Sequence, residues 1–154
     1  MIHVYTDGGC SGNPGPGGWA YVIIRNSAQS AAGPLSQAEN CGSEISTTNN
    51  RMELKAVIAA LEAVSPEVSG AEEVIVHTDS QYVQKGITEW IHTWKRNAWR
   101  TSDKKPVKNQ DLWMQLDALA AGLTVTWVWV KGHAGHEYNE RCDFLVKKTI
   151  ASLQ

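Results

Sequence analysis

The chain has one phenylalanine and three cysteines in 154 residues, no uninterrupted apolar run near 18 residues, and no charged start leading into an apolar stretch. Each shortage excludes a class. Without the long run no membrane span is expected, and without the leader pattern no secretion, so the sequence predicts a cytosolic protein. Cys10, Cys41 and Cys142 are odd in number, widely spaced and form no CxxC, which argues against a disulfide framework or cysteine zinc site and leaves free thiols. There is no second composition, no long-period repeat and no low-complexity tract. With 42% hydrophobic residues, the length predicts one domain over 1–154, with a sizeable core.

A net charge of −2 conceals a basic segment: seven of the 14 Lys and Arg residues lie between Lys85 and Lys108, where the only acids are Glu89 and Asp103. Such a patch is the electrostatic footprint of a polyanion ligand, whose phosphates would release counterions on binding. A solvated helix face is the competing explanation.

Apolar spacing and breakers predict strands at 2–7 and 18–25 and a third within 37–45, with Gly8 and Gly9 as a turn and short connections that favour hairpins. A helix follows at about 50–64, where Leu54, Val57, Ile58 and Leu61 recur at helical spacing before Pro66. "EEVIVHT" reads as a buried strand, 80–98 as a helix with Ile87, Trp90, Ile91 and Trp94 on one stripe, 110–121 as a helix, "LTVTWVWV" as a strand and 137–152 as a closing helix. The order βββαβααβα predicts an α/β fold with a mixed sheet flanked by helices.

Two strands end alike. Val4-Tyr5-Thr6-Asp7 closes the first and Val76-His77-Thr78-Asp79 the fourth, so parallel neighbours would carry both aspartates to one carboxyl-terminal edge, where open α/β sheets bind ligands. A turn before Gly8-Gly9 and a helix cap before "SQYVQ" would account for either aspartate alone. Two further acids fit that edge. Glu53 lies in the opening turns of its helix, where a capping box with Asn50 is the competing account. Asp143 lies early in the last helix, where the macrodipole alone favours an acid. Four such carboxylates could not all ionise without cations, and an oxygen-only donor set favours hard ions such as Mg²⁺.

"YTDGGCSGNPGPGGWA", "TTNNRMELKAVIAALEA", "HTDSQYVQKGITEWIHTWKRNAWRTSDKKPVKNQDLW" and "WVKGHAGHEYNERCD" resemble the type 1 ribonucleases H, in order and across nearly all of 2–145. The resemblance implies a five-stranded mixed sheet, three strands antiparallel and two parallel, with helices on both faces. It implies an endonuclease that hydrolyses the RNA strand of RNA–DNA hybrids with two Mg²⁺ ions, leaving 5′-phosphate and 3′-hydroxyl ends; whether Mn²⁺ substitutes stays open. Position by position it puts the metal-binding, catalytic acids on Asp7, Glu53, Asp79 and Asp143, with Asp7 bridging the ions, and an auxiliary proton-shuttling or product-release role on His133 in "KGHAGH". It assigns RNA-strand contacts to Cys10, Asn13, Asn49 and Gln81. DNA-sugar packing falls on Tyr82 and Trp90, the DNA phosphate on Thr48 and Asn109. Lys95, Arg96, Trp99, Arg100, Lys104 and Lys105 match the family's basic protrusion.

Trp90 also fits an apolar core stripe, so both readings stand for it. His133, His136 and Cys142 lack a fourth ligand for zinc, and His77 and His92 read as satisfied, partly buried imidazoles. Three departures from the family pattern are visible: Ser46 in place of an arginine beside the phosphate pocket, Glu137-Tyr138 in place of a proline and an acid, and Phe144-Leu145-Val146 where an acid and an alanine are common. The loop at 26–38 carries no assigned function. The sequence shows no sign of an oligomer, and a monomer is expected. Two rivals remain open: a binding-only hybrid module, and a nuclease of the same fold acting on DNA or duplex RNA, such as a resolvase or integrase core.

Overall fold

The computed structural model describes residues 1–25, 36–68, 72–131 and 136–153. Its elements are β1 (Ile2–Cys10), β2 (Gly15–Arg25), β3 (Ser36–Thr47), α1 (Asn49–Val64), β4 (Glu73–Thr78), α2 (Gln81–Lys85), α3 (Ile91–Arg96), α4 (Gln110–Ala121), β5 (Thr124–Trp129) and α5 (Glu137–Ala151). The five strands form one sheet in the order β3-β2-β1-β4-β5. β1, β2 and β3 pair antiparallel, whereas β4 joins β1, and β5 joins β4, in parallel. The expected mixed sheet is therefore the observed one. None of the described helices is long and apolar enough to cross a membrane.

Strand alternation divides the core between the two faces. Ile2, Val4, Tyr21, Ile23, Val74 and Val76 pack with Leu54, Val57 and Leu61 of α1 and with Trp113 and Leu116 of α4. On the other face Tyr5, Ala20, Val22 and Ile24 meet Cys142, Leu145 and Val146 of α5. The buried Cys142 thiol donates to the Tyr5 carbonyl, Sγ–O 3.3 Å, and burial pushes its pKa up to about 12. It is a packing thiol.

Two expectations change. β1 does not stop at Asp7; it continues through Gly8 and Gly9 to Cys10, paired with β2 along its whole length, so those glycines make no turn. A Cβ on Gly8 would lie 2.4–2.5 Å from backbone atoms of Met52 and Glu53. Gly8 is there to let α1 approach the strand. The helix expected at 80–98 is interrupted by a π-helical turn, Gly86–Trp90, between α2 and α3. Gly86 lies against the Trp113 indole, where a Cβ would come within 1.9 Å of the ring.

Candidate active site

Parallel pairing sets Val4 of β1 opposite Val76 of β4 and Tyr5 opposite His77. Continuing that register by two residues brings Asp7 opposite Asp79, at the carboxyl-terminal edge of the central strands. The matched V-x-T-D endings thus mark matched positions in neighbouring strands. Asp7 and Asp79 line one recess with Thr6 and Asn139.

Glu53 arrives from the opposite face. Thr48, not Asn50, caps α1, its hydroxyl accepting from Arg51 N–H at 3.3 Å, so no capping box uses Glu53. The Glu53 carboxylate instead accepts from Asn49 Nδ2 and from the Ser80 hydroxyl. Ser80 is itself fixed: its Oγ accepts from Val83 N–H at 3.1 Å, and its N–H donates to Thr78 Oγ1 at 3.1 Å. Burial, then the charges of Asp79 and Asp7, push the Glu53 pKa up to about 7. Those three carboxylates therefore share one field. Asp143, on α5, is ion-paired one turn along to Lys147, Oδ2–Nζ 2.9 Å. Among the described residues no three His, Cys, Asp or Glu side chains stand close enough to hold one ion. Mg²⁺ rarely uses such a cage; it binds one or two carboxylates and completes its shell with water and substrate phosphate, and the oxygen donors present fit that habit.

Around the acids, Asn13 Oδ1 accepts from Asn49 N–H at 3.3 Å, joining the β1–β2 turn to the helix that carries Glu53. Cys10 Sγ donates to the carbonyls of Gly15 and Thr47, 3.3 Å each, and Gln81 is exposed at the start of α2. A second group lies along α1, α2 and α4. Asn109, at φ 59° before α4, donates to Tyr82 Oη at 3.1 Å and accepts from Arg51 Nη1 at 3.2 Å. Trp113 Nε1 also donates to Tyr82 Oη, 2.9 Å. Sequence reasoning passed over Arg51. Its signal was the spacing from Thr48, three residues on at a helix start, which sets both on one turn. Arg51 also grips Asp111 with two nitrogens at 2.8 and 3.1 Å, holding that carboxyl below the usual carboxylate range.

Trp90 is 36% exposed, edge-on to Tyr82 at 5.8 Å, so it is no core residue. With Trp94 it lines an open apolar groove beside Lys108. In the basic segment, Arg96, Arg100, Lys104 and Lys105 are exposed; Lys95 pairs with Asp117 at 3.3 Å, and Trp99 is half-buried against Trp94. Ser46 is exposed.

His77 is satisfied as expected, 3.0 Å from His3 and stacked on Tyr5, and burial lowers its pKa to about 4. His92 is exposed on α3, not partly buried as expected. His136 caps α5 through Nδ1, which accepts from Tyr138 N–H. Tyr138 packs on Tyr5, ring centroids 5.1 Å apart, so the departure at this position ties α5 to β1. His133 and most of the 26–38 loop lie outside the described residues.

Comparison with known proteins identifies the family. The family model "RNase H" matches residues 1–151. A ribonuclease H of Phenylobacterium zucineum is 56% identical, with 97% of this chain and 90% of that protein aligned. Among solved structures, LC9-RNase H1, a type 1 RNase H with the type 2 active-site motif, is similar at 33% identity and a TM-score of 0.87, covering 99% of this chain and 73% of that one. LC11-RNase H1, solved in complex with an RNA/DNA hybrid, is 25% identical with a TM-score of 0.69, covering 99% and 98%. The chain therefore belongs to the ribonuclease H family and is an enzyme of the hydrolase class, an endoribonuclease.

Proposed function

We propose that this enzyme cleaves the RNA strand of RNA–DNA hybrids at the Asp7–Asp79 edge, using divalent cations, Mg²⁺ first, and leaving 5′-phosphate and 3′-hydroxyl ends. One observation carries the reading: Glu53 is largely buried beside the charges of Asp79 and Asp7, an environment that pushes its pKa up to about 7. Three acids crowded this way at the carboxyl-terminal edge of the sheet are a site short of positive charge, and their oxygens suit a hard cation. Asp7, Glu53, Asp79 and Asp143 would hold two ions, with Asp7 shared between them. When bound, such ions make a water acidic enough to attack a phosphodiester and neutralise the departing oxygen.

The chain's own groups do the rest. Asn49 and Ser80 hold both oxygens of Glu53, so the carboxylate keeps its direction through turnover. Cys10, Asn13, Asn49 and Gln81, at or next to the ends of β1, α1 and α2, face the RNA strand, where short polar groups suit 2′-hydroxyls in a shallow minor groove. Thr48 and Asn109, joined by Arg51, hold a DNA phosphate, and Tyr82 with Trp90 packs the DNA sugar. Arg96, Arg100, Lys104 and Lys105 grip the duplex backbone, as do Lys95 and Trp99 from their tethered positions. His133 moves a proton or helps product leave. The similar LC11-RNase H1, bound to an RNA/DNA hybrid, supports the choice of substrate.

Asp7→Asn tests the scheme. Turnover should fall by at least about a hundredfold, the scale of losing one group that stabilises transition-state charge, while hybrid binding in chelator persists. Turnover close to wild type in that variant would remove the metal scheme.

A further inference from the structure

A cavity of about 350 Å³ opens on the β5 side of Asp79, away from Asp7. The sheet explains its place. Trp129 pairs with Thr78, and Val130 N–H donates to the Thr78 carbonyl at 3.0 Å, so pairing runs one residue past β5 and delivers Lys131 beside the Asp79–Ser80 corner. Gln81 and Gln84 enter from α2, and the Trp129 indole forms a wall held by its parallel stack on Trp127, 5.5 Å away.

The lining is one cation, two carboxamides and an indole. Lys131 makes no ion pair, and the Gln81 and Gln84 side chains no hydrogen bond, among the described residues. That set matches one nucleotide of a strand: an ammonium for a phosphate, amides that both donate to and accept from hydroxyls, and a flat apolar face for a ring. The volume lies at the small end of ligand-sized clefts, room for a single nucleotide and not for a duplex. Because the cavity shares Asp79 with the acidic recess, its occupant adjoins the bond that is cut.

We infer that Lys131, Gln84 and Trp129 form an RNA-strand subsite, holding the phosphate and ribose of a nucleotide flanking the scissile one. The inference rests on the hybrid-cleaving reading above. Its specificity would come from the amides meeting a 2′-hydroxyl, and its register from Lys131 fixing one phosphate.

Hybrid binding is measured in chelator, where nothing turns over, with single methylphosphonates placed at each of three linkages on either side of the cut. Wild type should lose affinity at one flanking RNA linkage. Lys131→Ala should lose affinity to a similar extent, lower the slope of log Kd against log salt by about 0.7–0.9, and show no further loss when that linkage is neutralised. Lys131→Arg should retain wild-type behaviour. Additive losses at every RNA linkage, or a Lys131-dependent linkage found in the DNA strand, would overturn the subsite while leaving the substrate reading intact. A wild-type protein with no preference for hybrid over duplex DNA would overturn the substrate reading, and the subsite with it.

Discussion

At the residue scale the site is set by what is missing at position 8 as much as by the acids. Gly8 leaves room for the backbone of Met52 and Glu53, and backbone cannot yield as a side chain can. Gly8→Ala is expected to cost about 2 kcal/mol or more and to lower activity, although no charged group changes; a thermal melt and a turnover assay check both. Glu53 gives a second prediction. Its native pKa, about 7, lies above the ordinary 4.5, so the folded protein holds that proton more tightly than the unfolded chain. Its contribution to stability is then present at low pH and lost as pH rises from about 4.5 to about 7, by at most ~3 kcal/mol. In chelator, melts at pH 5 and pH 8 should differ more for wild type than for Glu53→Gln, and Mg²⁺ should restore the wild type at pH 8. Parallel pH profiles for the two proteins would contradict the crowding argument. Of these features, the aspartates were legible in the sequence because two strands repeat one ending; Gly8 was misread because a glycine in a turn and a glycine under a helix look the same in one dimension.

At the element scale the long helix after Asp79 shows what periodicity misses. The stripe Ile87, Trp90, Ile91 and Trp94 counts as 3.6-residue helix, but the π turn shifts phase, burying Ile91 and leaving Trp90 on the rim of the groove with Tyr82. Where the turn begins, Trp113, fully buried from α4, occupies the space beside Gly86. No local pattern announces a contact with a residue 27 positions away. Gly86→Ala should therefore destabilise by about 2–3 kcal/mol, a fall of roughly 5–10 °C in Tm, where helix propensity alone would predict a gain. The basic segment was legible from charge counting, since solvated charges need no partner to be read. Its internal differences were not: Lys95, exposed like Arg96 and Arg100, is tied to Asp117. Arg96→Ala with Arg100→Ala should raise KM, leave kcat nearly unchanged and lower the salt dependence of KM, the signature of lost uniform binding to phosphate.

At the scale of the whole molecule, one sheet edge gathers what the chain disperses. Asp7 and Asp79 come from the parallel pair at the centre and Glu53 from the helix on one face, over 72 positions of sequence, while the helix on the other face carries Asp143. The strand and helix order was readable from periodicity, and with it the mixed sheet; the register that aligns the two aspartates needed the β1–β4 pairing, which only their repeated ending hinted at. The directions of the Glu53 and Asp143 carboxylates were beyond reach, because Asn49 and Ser80 decide the first and Lys147 the second through contacts made after folding. The central claim is that this edge acts with divalent cations on one strand of a mixed duplex. Its most direct test is to incubate the protein with RNA–DNA hybrid, duplex DNA, duplex RNA and single-stranded RNA, each with Mg²⁺ and with chelator. The account predicts cleavage of the RNA strand of the hybrid alone, abolished by chelator; equal cleavage of duplex RNA, or cleavage that survives the chelator, would contradict it.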